Sequence, residues 1–289
     1  MLLDNVVIFG EKLYHPNSYV NFGFYNAFSE KDLLFIDIIN RKNLDILEDE
    51  IFDDNTLFII NSTENNDLIP LSDGNYYVLI NADKEIFKNE KNILNYIEYD
   101  SDMDLTNYKK LDDYVYINNS TKTVVMPFAS MLTPSQILEN IKTFKSLEER
   151  TGNYVLTRSY DKSTLQHINK LPSFFHKKRI ITIDKEVELL GNSKISCCFT
   201  GDINKINEKT LSHIAMGVPC LTNSITTNQC FNNKLMFATT GTEVTNDNIK
   251  SYLQSYKKHD MFSLIEIIIN KHTYCNRISV ILNYFGLSL

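Results

Sequence analysis

Apolar residues in this chain come in short runs parted by polar and turn-forming stretches. Val6–Gly10 is an apolar run closed by a glycine, and Leu33–Asp37, Thr56–Asn61, Tyr76–Asn81, Tyr114–Ile117 and Thr123–Met126 repeat the pattern. Continuous apolar runs of this length predict strands covered on both faces, as in parallel sheets. Asn21–Ser29 predicts a helix after the first strand. Thr56–Asn61 and Tyr76–Asn81 both end in asparagine, so polar groups stand where the carboxyl ends of the strands open. This half predicts a sheet of about five or six strands.

The pattern resets after Pro127. Pro134–Arg150 predicts one helix, with Ile137, Leu138, Ile141, Phe144 and Leu147 on one face, stopped by Thr151-Gly152-Asn153. Strands are expected at Tyr154–Thr157, Ile180–Ile183, Ile195–Phe199, Pro219–Thr222 and Leu235–Ala238. Glu208–Met216 predicts a helix closed by Gly217 at its C′ position. Asn248–Tyr256 and Asp260–Phe285 predict two further helices. The alternation predicts an α/β chain of two Rossmann-like domains, 1–127 and 128–289, facing a central cleft.

Composition narrows the function. The 289 residues carry 29 basic and 36 acidic side chains, a net charge of −7, which argues against a duplex nucleic-acid binder. No apolar run approaches the ~20 residues of a membrane span. The opening MLLDNVVIFG has no basic segment or small-residue cleavage site, so it reads as a first strand, and a cytoplasmic location is expected. Five cysteines without a C-x-x-C pair give no expectation of a zinc ribbon or redox motif, and Cys197 and Cys198 read as reduced core residues. No G-x-G-x-x-G follows a strand, which leaves the dinucleotide-binding dehydrogenase reading a poor third.

The chemistry concentrates in Cys198–Ser224, where a strand runs through a Gly-Asp turn and a polar loop into a helix. A helix N-terminus with unpaired N–H groups and partial positive charge favours an anion such as a diphosphate. Lys205 and Lys209 add charge there, and Thr222 and Asn223 stand where the next strand opens. Asn207 is equally a donor contact or an N-cap, and Glu208 a ribose contact or a carboxylate that offsets the helix dipole. Arg158 ends the second half's first strand, where it serves a diphosphate or a surface ion pair. His15 follows the first strand and is either a general base or a surface histidine; His213 reads as packing inside a helix.

The segment resembles the donor-binding half of GT-B glycosyltransferases, which open a helix on a basic residue and close it on A-x-G-x-P. Here Lys209 opens it and Ala215-Met216-Gly217-Val218-Pro219 closes it. His272-Thr273-Tyr274-Cys275-Asn276-Arg277 is similar to the H-T-Y-x-x-R run of the spore-maturation-protein-like glycosyltransferase group. Tyr274 and Arg277 lie three apart, on one helical face, and are expected to lock the last helix.

The resemblance implies a nucleotide-diphosphate sugar as co-substrate and a glycan or other saccharide acceptor. It implies no cofactor, and a last helix that packs back toward the first domain. The E-x7-E pattern of many retaining members is absent, since Asn204 and Ser212 stand at those positions. That points to inversion, with the base drawn from the first domain. Asp102 and Asp104 fit D-x-D by letter but lie in an acidic loop, so no metal ligands are assigned and metal-independent transfer is expected. The alternatives are a nucleotide-sugar epimerase of the same fold and a non-catalytic binding or scaffold protein.

Overall fold

The computed structural model describes residues 2–10, 18–40, 43, 45, 52, 54–64, 66–157, 162–179, 183–256 and 258–289. The chain divides into two compact units, one of Met1–Tyr99, Met103–Pro127 and Tyr274–Leu289, the other of Asp100–Asp102 and Phe128–Thr273. Among the described residues no helix is long and apolar enough to cross a membrane.

The first unit opens with β1 (Asn5–Gly10), α1 (Ser18–Ser29), β2 (Phe35–Ile39), β3 (Thr56–Asn61), β4 (Tyr76–Leu79) and β5 (Ile93–Glu98). It continues with β6 (Lys109–Asp112), β7 (Val115–Asn118) and β8 (Thr123–Met126). The sheet order is β2-β1-β3-β4-β5-β8-β7-β6. From β2 to β8 the strands run parallel, and β7 and β6 finish the sheet antiparallel. Every residue of β1 and β3 is buried, the outcome that uninterrupted apolar runs dictate. One core cluster stacks Phe58 on Tyr77, ring centroids 5.6 Å apart, beside Val7, Phe9 and Ile60. The asparagines at the strand ends meet: Asn81 Nδ2 donates to Asn61 Oδ1 at 2.6 Å, and Asn61 Nδ2 to Asn21 Oδ1 at 2.9 Å.

The second unit contains α2 (Pro134–Thr143), β9 (Gly152–Thr157), α3 (Lys162–Asn169), β10 (Phe175–Arg179), α4 (Ile183–Gly191) and β11 (Ser193–Cys198). Then follow α5 (Glu208–Ala215), β12 (Cys220–Thr222), α6 (Ile225–Cys230), β13 (Met236–Phe237), α7 (Asn246–Ser255) and α8 (Lys258–Lys271). Its sheet, β10-β9-β11-β12-β13, is parallel throughout. Within each unit the first five strands thus take the order 2-1-3-4-5, one of the two common orders of doubly wound parallel sheets.

The last helix, α9 (Tyr274–Phe285), belongs to the first unit and packs on α1. Tyr274 is 1% exposed, its ring 4.6 Å from that of Phe24. Arg277, three residues on and 2% exposed, donates from Nε to the Pro127 carbonyl at 2.7 Å. The Tyr96 hydroxyl donates to the same carbonyl at 2.9 Å. A buried guanidinium is tolerated where its donors meet carbonyl oxygens.

Several local expectations need correction. Pro134–Arg150 is not one helix. A capping box of Thr133 and Gln136 starts α2, but Phe144 turns to extended backbone (φ −61°, ψ 122°). Of the expected apolar face only Ile137 is fully buried, and Leu138 is 53% exposed. A strand lies upstream of the expected one at Ile180–Ile183: β10, at the sheet edge. Ile183 begins α4, and 180–182 lie outside the described residues. The expected helix Asp260–Phe285 breaks at His272-Thr273, because Ser130 N–H takes the His272 carbonyl at 2.8 Å and Ser130 bridges Thr273. Two strands lacked a readable pattern: β5 is interrupted by asparagine, and β6 is exposed at every position.

Gly23 tests the α1–α9 contact. A Cβ there would fall inside the Tyr274 ring. Gly23→Ala should lower stability by about 1–3 kcal/mol in urea denaturation. The ~1 kcal/mol that alanine gains in helix propensity is outweighed because the ring is buried. An unchanged or raised midpoint would show that the ring has room to move.

Candidate functional site

The 2-1-3-4-5 order has a physical consequence in the second unit. The strand that follows β9 lies on one side of it in the sheet and those that follow β11 on the other, so the two strands form the switch point at whose carboxyl ends α/β sheets bind ligands. The loops there run from Phe199 to Asn207 after β11, and through Asn223 and Ser224 after β12. Arg158 follows β9, and His15 follows β1 in the first unit; both lie outside the described residues.

These loops are laced by short polar side chains. Asn223 is 1% exposed, and its amide clamps Thr200 both ways: Oδ1 accepts from Thr200 N, and Nδ2 donates to Thr200 O, each at 2.8 Å. Thr222 is fully buried; its hydroxyl donates to Cys198 O at 3.4 Å and accepts from Ser224 N at 3.1 Å. Ser224 Oγ donates to Lys205 O at 2.6 Å and accepts from Thr227 N at 2.9 Å, capping α6. The Lys205 ammonium stands 3.6 Å from Asp202 Oδ2. Asn204 donates from Nδ2 to Asp102 Oδ2 at 2.6 Å, while Asp104 accepts from its own Thr106. The two aspartates of the D-x-D letters thus have separate partners.

Asn207 caps α5. Its Oδ1 accepts from Lys209 N at 2.9 Å and Thr210 N at 3.3 Å, and its own N–H donates to Thr227 Oγ1 at 2.8 Å. Two of the N–H groups that an open helix would offer an anion are therefore already taken. What remains for an anion is the partial charge of the helix end and the cationic side chains. Glu208 and Lys209 occupy the first turn, both partly exposed. The Lys209 ammonium makes no hydrogen bond or ion pair to any described residue.

The other end of α5 is fixed as tightly. Gly217 has φ +73°, and a Cβ on it would meet the Phe144 ring, so both backbone freedom and close approach require glycine. Arg150, 4% exposed, donates to the carbonyls of Lys145, Ser193 and Gly217 and holds that turn. On the inner face His213 Nε2 meets Glu186 Oε1 at 3.2 Å. Burial pulls the imidazole down, but Cys198 and Glu186 outweigh it and hold His213 up at about 9. Burial raises the Cys198 thiol, yet its contacts with Cys220 and His213 and the charge of Lys209 draw it well below the usual range.

A cavity of about 450 Å³ lies elsewhere in this unit, bordered by Phe144, Arg150, Gly217, Tyr256 and Met261. It sits toward the amino ends of β11 and β12, away from the strand-end loops, and Arg150 Nε and Nη1 there serve carbonyls. The strand-end loops are therefore the better candidate. They bring together Lys205, Asn207, Glu208, Lys209, Thr222 and Asn223, and add Thr200, Asp202, Asn204 and Ser224, which were not singled out in the sequence. The density of short polar residues in Thr200–Asn204 and Thr222–Asn228 was the available signal.

The cap gives a clean test. Asn207→Ala should lower stability by about 0.5–2 kcal/mol, and Asn207→Asp should retain most of it. Thermal melts of the two variants decide the matter: equal losses would mean that the side-chain oxygen is not what α5 needs.

No protein-family model and no curated protein sequence matches the chain. Among solved structures, an α,α-trehalose-phosphate synthase (UDP-forming) from Burkholderia vietnamiensis is similar at TM-score 0.47 and 10% identity. That match covers 99% of this chain and 96% of the other. The ligand-free, open structure of a substrate-binding protein with adhesive properties from Clostridium difficile is similar at TM-score 0.22 and 16% identity, again covering 99% and 96%. Likenesses this distant carry no argument about chemistry.

Proposed function

We propose that the chain is a glycosyltransferase that moves a sugar from a nucleotide-diphosphate donor to a hydroxyl of a glycan or other saccharide. The observation that carries this reading is the segment Cys198–Ser224. It runs strand, polar loop, capped helix and glycine turn, places Lys209 on the helix's first turn, and lies at the carboxyl edge of a parallel sheet. The leaving nucleoside diphosphate carries the charge that develops in transfer. The α5 N-terminus and Lys209 would stabilise it, with Lys205 and Arg158 as further cations.

In this reading the second unit takes the donor and the first unit the acceptor. His15 is the proposed general base, taking the acceptor hydroxyl's proton as that oxygen attacks the anomeric carbon in line, which gives inversion. The cationic side chains fill the charge role that a divalent ion has in other transferases, so transfer is proposed to be metal-independent, and no cofactor is involved. The reading places the enzyme in the cytoplasm.

Lys209→Ala should weaken binding of the cognate nucleotide sugar about ten- to hundredfold, the ~1.5–3 kcal/mol of a charge-assisted hydrogen bond. Its melting temperature without ligand should hardly move, because a lysine at a helix N-terminus gains nothing from the dipole. Calorimetry over a panel of UDP- and GDP-sugars, paired with melts, measures both. Unchanged affinity removes Lys209 from the site, and a large loss in the unliganded melt makes it structural. Silence across the whole panel favours a scaffold, and donor turnover without an acceptor favours an epimerase.

His15→Ala should abolish transfer while leaving donor affinity intact. Brief EDTA treatment should leave transfer intact; loss that manganese restores would overturn the metal-independent mechanism.

A further inference from the structure

Three soft donor atoms converge inside the second unit, within its core. Cys198 Sγ lies 3.0 Å from His213 Nδ1, and with Cys220 Sγ the three atoms all lie within 4.8 Å of one another. Ser196 Oγ stands 3.0 Å from both His213 Nδ1 and Cys220 Sγ. Cys198 is 4% exposed, and Ser196, His213 and Cys220 are fully buried.

Strand geometry creates this convergence. Side chains two apart on a strand share a face, so Ser196 and Cys198 of β11 point the same way. Cys220 of β12 is the register partner of Ser196 and joins that face, while Cys197 goes to the opposite face with Ile195 and Leu221. His213 comes from α5, which packs over these two strands.

The histidine is also oriented for ligation. Glu186 Oε1, 1% exposed, holds Nε2 at 3.2 Å, so Nε2 carries its proton and Nδ1 is turned toward the sulfurs. A carboxylate on the remote imidazole nitrogen is the usual outer partner of a metal-bound histidine. Buried carboxylate and sulfur groups call for compensating positive charge.

We propose that Cys198, His213 and Cys220, completed by Ser196 Oγ, bind one zinc ion. Two thiolates and an imidazole suit a thiophilic ion and disfavour magnesium or calcium. A divalent charge cancels both thiolates, which a monovalent ion would not. Bonds of roughly 2.3 Å to sulfur and about 2.0–2.1 Å to nitrogen set tetrahedral donors about 3.5–3.8 Å apart. That separation lies between the 3.0 Å contacts and the 4.8 Å limit of the cluster. On binding, the proton shared by Cys198 and His213 Nδ1 and the proton of the Cys220 thiol are given up to solvent, two in all, and two Zn–S bonds and one Zn–N bond form. The ion ties α5 to β11 and β12, the elements that carry the donor loops, and its burial keeps it from substrate. It is thus separate from the metal-independent transfer step.

The test uses the full chain, purified under reducing conditions without chelator, and the same chain refolded with zinc. Native mass spectrometry and elemental analysis should find one zinc per chain, with a mass gain of one zinc less two protons. The ion should survive dialysis against EDTA and leave when urea unfolds the chain beside the chelator. The cobalt-refolded form should show thiolate-to-cobalt absorption. Cys198→Ser and Cys220→Ser should lose the metal, and Cys230→Ser should keep it. A wild-type chain free of zinc by both routes overturns the proposal, whether or not the variants fold. So does zinc retained by the Cys198→Ser, Cys220→Ser double variant.

Discussion

A parallel strand covered on both faces has its peptide groups satisfied by its neighbours and its side chains sealed from water, so chemistry that must meet solvent or a substrate is built at its ends. Both sheets obey this constraint. β1 and β3 are buried at every residue, and the polar groups begin at Asn61 and Asn81, which join Asn21 in one amide chain. In the second unit the buried β11 and β12 give way to Thr200, Thr222, Asn223 and Ser224, whose hydrogen bonds shape the loops before any ligand is considered.

Helix α5 transmits that constraint to the candidate site. Its start is set by Asn207, its end by Gly217, and its inner face by His213. The turn at Gly217 is tied in turn by Arg150 and closed sterically by Phe144. The cap is local, but the contacts of His213 with Glu186, of Arg150 with Gly217 and of Phe144 with Gly217 join residues far apart in the chain and hold the helix to its own sheet. Rigidity matters for a site that acts by electrostatics, because a preorganised charge need not reorganise when the leaving group's charge appears. The cap also redistributes the roles. With Asn207 occupying two N–H groups, direct bonding to an anion falls to the side chains, and Lys209 is the cation of the first turn without a partner among the described residues.

The His272–Arg277 run shows one motif serving two different structural ends. His272 gives its carbonyl to Ser130 and its Nε2 to a 3.0 Å contact with Cys230, so it fastens the end of α8 within the second unit. Tyr274 and Arg277 belong to the first unit, where Tyr274 docks α9 on Phe24 of α1 and Arg277 bonds the Pro127 carbonyl. The chain breaks its helix between them, since the His272 carbonyl is committed to a partner outside the helix.

Features that depend on near neighbours were legible in the residues alone. The apolar runs identified β1, β3 and β8 because a strand covered on both faces is uniform along its length, and the glycine after Met216 marked the end of α5. Asparagines at strand ends and a lysine at a helix start were likewise visible as local chemistry. The strand order, the stop of α2 at Thr143, the break at His272 and the convergence of Cys198, His213 and Cys220 were not. Periodicity cannot tell that Phe144 must leave its helix to meet Gly217, nor that register sets Cys220 beside Ser196, because those outcomes turn on partners tens of residues away. Local pattern selects the element, whereas long-range contact selects where it ends and what its side chains face.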